Sequence, residues 1–203
     1  MRKGMTGVAL LSAATLFALH PSIIQKGEIK PNILQDELPV STSHDSEELV
    51  VTPAGQVPVT LVDTIDGDTI KVYLQGKIET IRYLLIDTPE SKNPKMCVQP
   101  YALEAARRND ELVKSGTLTI EFEQGNSKDS YGRLLAYIYV DGQSVQETLL
   151  KEGYARVGYI MNPPYKYLSL YNSDESSAKK SHLNIWSKTD FVTKWGFYGC
   201  ASG

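Results

Sequence analysis

Ile81-Arg82-Tyr83-Leu84-Leu85-Ile86-Asp87-Thr88-Pro89-Glu90 is the stretch from which the rest of the chain is read. Its first half is apolar apart from one arginine, as in a strand covered on both faces. Then it breaks into two carboxylates around a Thr-Pro step. A charge inside such a strand is costly unless it is paired or bound to a metal. Arg82 therefore calls for acidic partners. The candidates are Asp87 and Glu90 at the strand's exit, and Asp68 in the upstream Asp66-Gly67-Asp68. A rigid strand that delivers charged groups at its end is a good platform for a polar site.

Outward from this stretch, Val57 to Ile65, Thr69 to Leu74 and Ile78 to Ile86 read as three strands. Short turns at Asp66-Gly67-Asp68 and Gln75-Gly76 join them. Ser91 to Pro100, with Lys92, Pro94, Lys95 and Pro100, reads as a mobile loop. Tyr101 to Ser115 is rich in Ala, Leu, Glu and Arg and stops at Gly116, as a helix would. Two further strands follow, Leu118 to Phe122 and Leu134 to Val140. Val145 to Glu152 reads as a short helix. Lys166 to Ser181 reads as a last one, with Leu168, Tyr171, Ala178 and Leu170 on its inner side. The pattern alone specifies an α+β fold with a small antiparallel sheet and about three helices. The element order is also compatible with an oligonucleotide-binding type barrel.

The chain has 203 residues and a net charge of −3. From Gln56 onward acidic and basic side chains nearly balance, so a basic nucleic-acid coat is excluded. Any anion site must be built from a few placed Arg and Lys. Cys97 and Cys200 are too few for a disulfide scaffold or a zinc site. Three scattered histidines form no His-x-x-x-His pair, which argues against imidazole-based metal or nucleophile chemistry. Arg2 and Lys3 precede a run without charged side chains apart from His20, from Met5 to Ile24. Residues 1–25 are thus expected to be a signal peptide, or an uncleaved anchor. Residues 26–56 lack periodicity and are expected to be a flexible polar linker.

Taken singly, each polar motif has an ordinary reading. Asp66-Gly67-Asp68 could be a hairpin turn. Asp87-Thr88-Pro89-Glu90 could be a helix entry. Arg82 could face water on an edge strand, and Tyr131-Gly132-Arg133 could be a solvated loop. Together, in order and spacing, they resemble a known family. The matching stretches are Ile65-Asp66-Gly67-Asp68-Thr69, Ile81 to Glu90, Asp129-Ser130-Tyr131-Gly132-Arg133-Leu134-Leu135-Ala136-Tyr137-Ile138-Tyr139, Glu147 through Val157, and Leu183-Asn184-Ile185-Trp186-Ser187. From about Val59 to Ser187 the chain resembles the staphylococcal (micrococcal) nucleases, or thermonucleases.

The resemblance implies a five-stranded OB-fold-like barrel at residues 57–188. It also implies a Ca2+-dependent phosphodiesterase acting on DNA and RNA, cutting endonucleolytically and leaving 3′-phosphate ends. Asp68 and Asp87 would be carboxylate ligands of the calcium, and Thr88 would offer its backbone carbonyl. Glu90 would touch the attacking water. Arg82 and Arg133 would grip the scissile phosphate, and Tyr131 and Tyr159 would line the nucleotide pocket. No stable protein partner is implied, and a membrane is involved only if the N-terminal segment stays uncleaved. The alternative is an oligonucleotide-binding module without catalysis, whose mark would be a lost acidic or Arg position; here all are filled.

Three departures from the family pattern remove two positive charges and one aromatic platform. Ser130 and Met96 stand where lysines are expected, and Met161 where a second pocket tyrosine is expected. Weaker binding of a terminal phosphate and a flatter salt dependence follow. The two cysteines are additional to the pattern. In an oxidising compartment a Cys97–Cys200 disulfide is expected to tie the aromatic tail, residues 189–203, to the loop beside the site.

Overall fold

Strands β1 (Gln56–Pro58) and β2 (Thr60–Thr64) are separated only by Val59, yet they occupy the two ends of the main sheet. This computed structural model describes residues 55–125, 127–161 and 163–201. The expected export segment and nearly all of the linker lie outside the described residues. β1 pairs antiparallel with β6 (Leu118–Glu121), and β2 pairs antiparallel with β3 (Thr69–Leu74). Between them the order runs β6, β7 (Leu134–Val140), β4 (Lys77–Tyr83), β3, and β8 (Gln143–Ser144) pairs with β7 off this path. One extended segment thus lies along both edges of the sheet, which curls the sheet towards a barrel and leaves few backbone groups unpaired. Val59 N–H continues the β1 side by donating to Leu118 O at 3.1 Å.

Ile70, Val72, Ile81, Ile120, Ala136 and Ile138 fill the interior. The sheet is mixed rather than purely antiparallel. β4 and β7 run parallel, pairing Ile81 to Tyr83 with Leu134 to Ala136. A long crossover makes this possible: helix α1 (Ala102–Val113) and β6 lie between the two strands.

The strand expected over Ile78 to Ile86 breaks in two. β4 ends at Tyr83, and Ile86–Asp87 forms a separate strand, β5, paired with β9 (Arg156–Val157). Leu85 sits between them at φ 65°, a backbone state costing about 1 kcal/mol for a residue with a side chain. Both Leu84 and Leu85 are buried there, so apolar packing offsets that cost. The break redirects the chain out of the sheet and places Asp87 beside Arg82.

The helices hold this exit in place. α1 buries Ala102, Ala105, Asn109 and Val113, one stripe of a helix. Asn109 is the polar member of that stripe and has two partners. It accepts from Tyr83 Oη at 2.7 Å and donates from Nδ2 to Asp66 O at 2.8 Å. α2 (Val145–Lys151) is capped by Ser144, whose hydroxyl accepts from Glu147 N–H. The fully buried Gln146 on α2 acts as an extra piece of strand: it donates to Ala136 O and accepts from Ile138 N–H. α3 (Leu168–Lys180) buries Tyr171, Asp174 and Ala178, whereas Leu170 is exposed. Leu170 lies a step of about 100° off that stripe, which is why the inward placement fails for it.

Residues 189–201 pack onto the domain. β10 (Val192–Thr193) and β11 (Gly196–Phe197) form a hairpin, and Phe191 is buried against Phe197 and Tyr101. Cys97 and Cys200 are joined by a disulfide. Ala201 N–H donates to Val98 O at 2.8 Å. The segment expected to be a mobile loop, Ser91 to Pro100, is therefore tied down through its second half.

Candidate active site

Arg82 is the centre from which the site is built. It emerges near the end of β4 with 7 % of its surface exposed. Its Nη1 donates to Tyr83 O at 2.9 Å and Ile86 O at 2.8 Å, so it bridges the break between β4 and β5. Nε lies 3.2 Å from Asp68 Oδ1, and Nη2 lies 3.4 Å from Asp87 Oδ1. Burial disfavours the charged guanidinium, but Asp68 and then Asp87 outweigh it and hold the group firmly protonated. Two aspartates distant in sequence thus share one buried cation, the arrangement a charge in this strand demanded.

Asp68 is fixed from its other side by Thr88. Its Oδ2 accepts from Thr88 N–H at 2.8 Å and from Thr88 Oγ1 at 3.0 Å. This approach explains Gly67. A methyl group there would come within 2.6 Å of Thr88 Oγ1. Asp66-Gly67-Asp68 is a turn, but its glycine serves a close approach to the site rather than a left-handed backbone.

Asp87 has a second basic partner that the sequence reading missed. Arg156, on the paired strand β9, reaches Asp87 Oδ2 from Nε at 3.0 Å and from Nη2 at 2.9 Å. Its only signal in the sequence is a lone arginine between Ala155 and Val157, two positions before Gly158-Tyr159. Asp66, which the sequence marks only as part of a turn, lines the cleft together with Asp87.

Two carboxylates of the site are held above the usual aspartate range. Burial, and next the charge of Asp68, push Asp66 up to about 7 and Asp87 up to about 6. Crowded, partly desolvated carboxylates of this kind are relieved by a divalent ion. The donors are all oxygen, which suits a hard cation such as calcium. Among the described residues no three acidic, His or Cys side chains converge into a cage.

Above this floor lies a cleft of about 690 Å³. Glu90 lines it. One oxygen, Oε1, accepts from Lys92 N–H at 2.6 Å and Asn93 N–H at 2.9 Å. Oε2 has no protein partner among the described residues. Arg133 lines the same cleft. Asp129 Oδ2 anchors its Nε at 2.7 Å, and its two Nη groups carry no protein hydrogen bond among the described residues. Tyr131 and Tyr159 are cleft residues too, both largely exposed. The Arg133 guanidinium lies 5.6 Å from the Tyr131 ring, and that of Arg82 lies 5.0 Å from the Tyr159 ring. Met96 is on the wall, while Met161 and Ser130 are exposed. Asp87, Thr88, Glu90, Tyr131, Arg133 and Tyr159 line the cleft; Asp68 and Arg82 do not line it and are buried, bonded to its residues Thr88 and Asp87.

The cleft has one wall that the sequence reading did not give it. Trp195, Gly196 and Phe197 of the C-terminal hairpin line it together with Gln99. Gln99 joins the parts. Its Oε1 accepts from Glu90 N–H at 2.7 Å, and its Nε2 donates to Phe197 O at 3.0 Å.

Comparison with known proteins agrees with this geometry. Residues 80–188 match the family described as staphylococcal nuclease homologue. The chain is 60% identical over 144 residues to the endonuclease YncB of Bacillus subtilis, a match covering 71% of this chain and 68% of that protein. It is 59% identical over 144 residues to the SPbeta prophage-derived endonuclease YokF of the same organism, covering 71% of this chain. That match spans 49% of YokF, about half its length. A thermonuclease of Staphylococcus hyicus is 36% identical over 187 residues, covering 92% of this chain and 99% of that protein. With the curled sheet, the acid pair on Arg82 and these matches all in agreement, the chain belongs to the staphylococcal nuclease family.

Proposed function

We propose that the protein is an exported, calcium-dependent nuclease that hydrolyses phosphodiester bonds of DNA and RNA, cutting within the chain and leaving 3′-phosphate ends. The observation that carries this reading is the meeting of Asp68 and Asp87 on Arg82 beneath a cleft walled by Glu90 and Arg133. Matches to proteins named endonuclease and thermonuclease support it. Export is supported by the basic, then apolar N-terminus and by a disulfide, a bond that persists in oxidising compartments.

Calcium would be held by the carboxylates of Asp68 and Asp87 and the carbonyl of Thr88, and would supply positive charge against the phosphodiester and its transition state. Arg133 presents its Nη edge to a phosphate oxygen while Asp129 keeps the guanidinium oriented. Of Arg82's hydrogen bonds and ion pairs to Tyr83, Ile86, Asp68 and Asp87, that of Nη2 with Asp87 is the longest, and this edge is assigned to the phosphate. A planar guanidinium can bond two phosphate oxygens at once, which a lysine cannot. Glu90 offers Oε2 to a water and accepts its proton as the water attacks phosphorus, while the 5′-oxygen leaves. Contacts of this kind read backbone rather than bases, so sequence specificity is low.

Incubating the protein with denatured DNA in calcium and then in chelator tests the reading. Cleavage in calcium alone is expected. Glu90→Gln should lower kcat at least about 100-fold, the scale of general base loss, without moving the melting temperature. Wild-type activity in Glu90→Gln would remove the base assignment.

A further inference from the structure

The C-terminal hairpin lies outside the segment matched to the family, residues 80–188, yet it forms part of the cleft. Its two-residue tip is Lys194-Trp195, between the paired strands β10 and β11. The tip is held firmly. Thr193 Oγ1 donates to Gly196 O at 3.1 Å and accepts from Trp195 N–H at 3.2 Å. Behind it, Arg156 lies 5.8 Å from the Phe197 ring and 3.4 Å from Lys194 O while pairing with Asp87. The disulfide and the Gln99 bridge to Glu90 fix the hairpin's far end.

On this braced turn Trp195 keeps 85 % of its surface exposed. A large aromatic held out in water by so many links costs apolar exposure and is not packed into the core. Lys194 Nζ lies 4.8 Å from the indole centroid, so an aromatic face and a cation are presented together. Tyr131, Arg133, Lys92 and Tyr159 line the same cleft. Aromatic rings interleaved with cations along a groove are what single-stranded nucleic acid binds, its bases stacking and its phosphates pairing.

We propose that Lys194-Trp195 is a substrate subsite: the indole stacks on a base of single-stranded DNA or RNA lying in the cleft, and Lys194 meets the adjoining phosphate. This rests on the nuclease reading for the identity of the ligand. It adds a platform for a base flanking the scissile bond. Because the turn is already ordered, little conformational entropy is lost when a base docks.

The test follows single-stranded oligothymidylate binding to the full chain in chelator, where no cleavage occurs. Wild type, Trp195→Ala and Trp195→Phe are compared by anisotropy of labelled oligonucleotide and by indole fluorescence. Trp195→Ala should bind about tenfold more weakly and Trp195→Phe nearly as wild type, the scale of one lost stacking contact. Indole quenching on binding should be present in wild type and absent in both variants. In calcium, Trp195→Ala should raise KM about tenfold for the oligonucleotide with kcat unchanged. A dinucleotide, with too few bases to occupy both tyrosines and Trp195, should show no such change. Equal melting temperatures establish that the variants fold. Unchanged affinity and no quenching in a protein that cleaves DNA would overturn the subsite and leave the nuclease reading standing. Quenching and weakened binding of Trp195→Ala in a protein that cleaves nothing would do the reverse.

Discussion

Arg156 directs both Nε and Nη2 at a single oxygen of Asp87, at 3.0 and 2.9 Å, and leaves the other oxygen to Arg82. A proposed metal ligand is thus held between two guanidiniums on different strands. Both side chains of the Arg156–Asp87 pair are nearly buried, at 11% and 12% exposure. Removing one partner of a buried pair strands the other. Arg156→Ala is expected to lower stability by roughly 3 kcal/mol, read as a fall in the denaturation midpoint. It should also push the Asp87 carboxyl further up, since Arg156 is among the charges that lower it. An unchanged midpoint would show that the pair contributes nothing.

Gly67→Ala tests the close approach beneath the site. The added methyl would press on the Thr88 side chain, which is buried and bonded to Asp68. Overpacking of this kind costs about 1–3 kcal/mol. Activity should fall more than stability alone accounts for, because Thr88 and Asp68 move together. Melting curves alongside kcat measured well below the melting temperature separate the two effects. Wild-type values for both would remove the steric role of the glycine.

Asp129 gives the fold an acid sensitivity of its own. Burial would raise its carboxyl, but hydrogen bonds from the Arg133 side chain and backbone outweigh burial and hold it below the usual aspartate range. A carboxyl depressed on folding contributes stability above its unfolded value, near pH 4, and loses it as pH falls through the folded value. Wild type should therefore be more stable than Asp129→Asn at pH 7, and the gap should narrow as pH drops below about 4. Thermal melts across that range check this. A gap constant with pH would contradict it.

Much of this site was legible in the sequence because its residues break local rules. Arg82 inside an apolar strand demanded acids, and Asp68 and Asp87 are the acids it meets. Glu90 and Arg133 were expected from the family resemblance, and both line the cleft. Arg156 stayed hidden because its meaning depends on β9 pairing with β5, a contact across 69 residues. Leu85's turn was hidden for the opposite reason: its composition reads as continuous strand, and only burial of both leucines makes the break affordable. The expected Cys97–Cys200 bond brings the C-terminal tail to the loop beside the site. That Trp195, Gly196 and Phe197 form a wall of the cleft was hidden, because it depends on the β10–β11 hairpin and on the Gln99 contact to Phe197, 98 residues away.

Asp68 and Asp87 are proposed to hold one divalent cation between them for phosphodiester hydrolysis. Calorimetric titration of calcium into the protein, bound to a non-hydrolysed nucleotide diphosphate, tests it most directly. Wild type should take up one calcium, and Asp68→Asn and Asp87→Asn should each abolish uptake and cleavage together while circular dichroism shows the fold intact. Calcium uptake that survives both substitutions, or DNA cleavage that persists in chelator, would contradict the account.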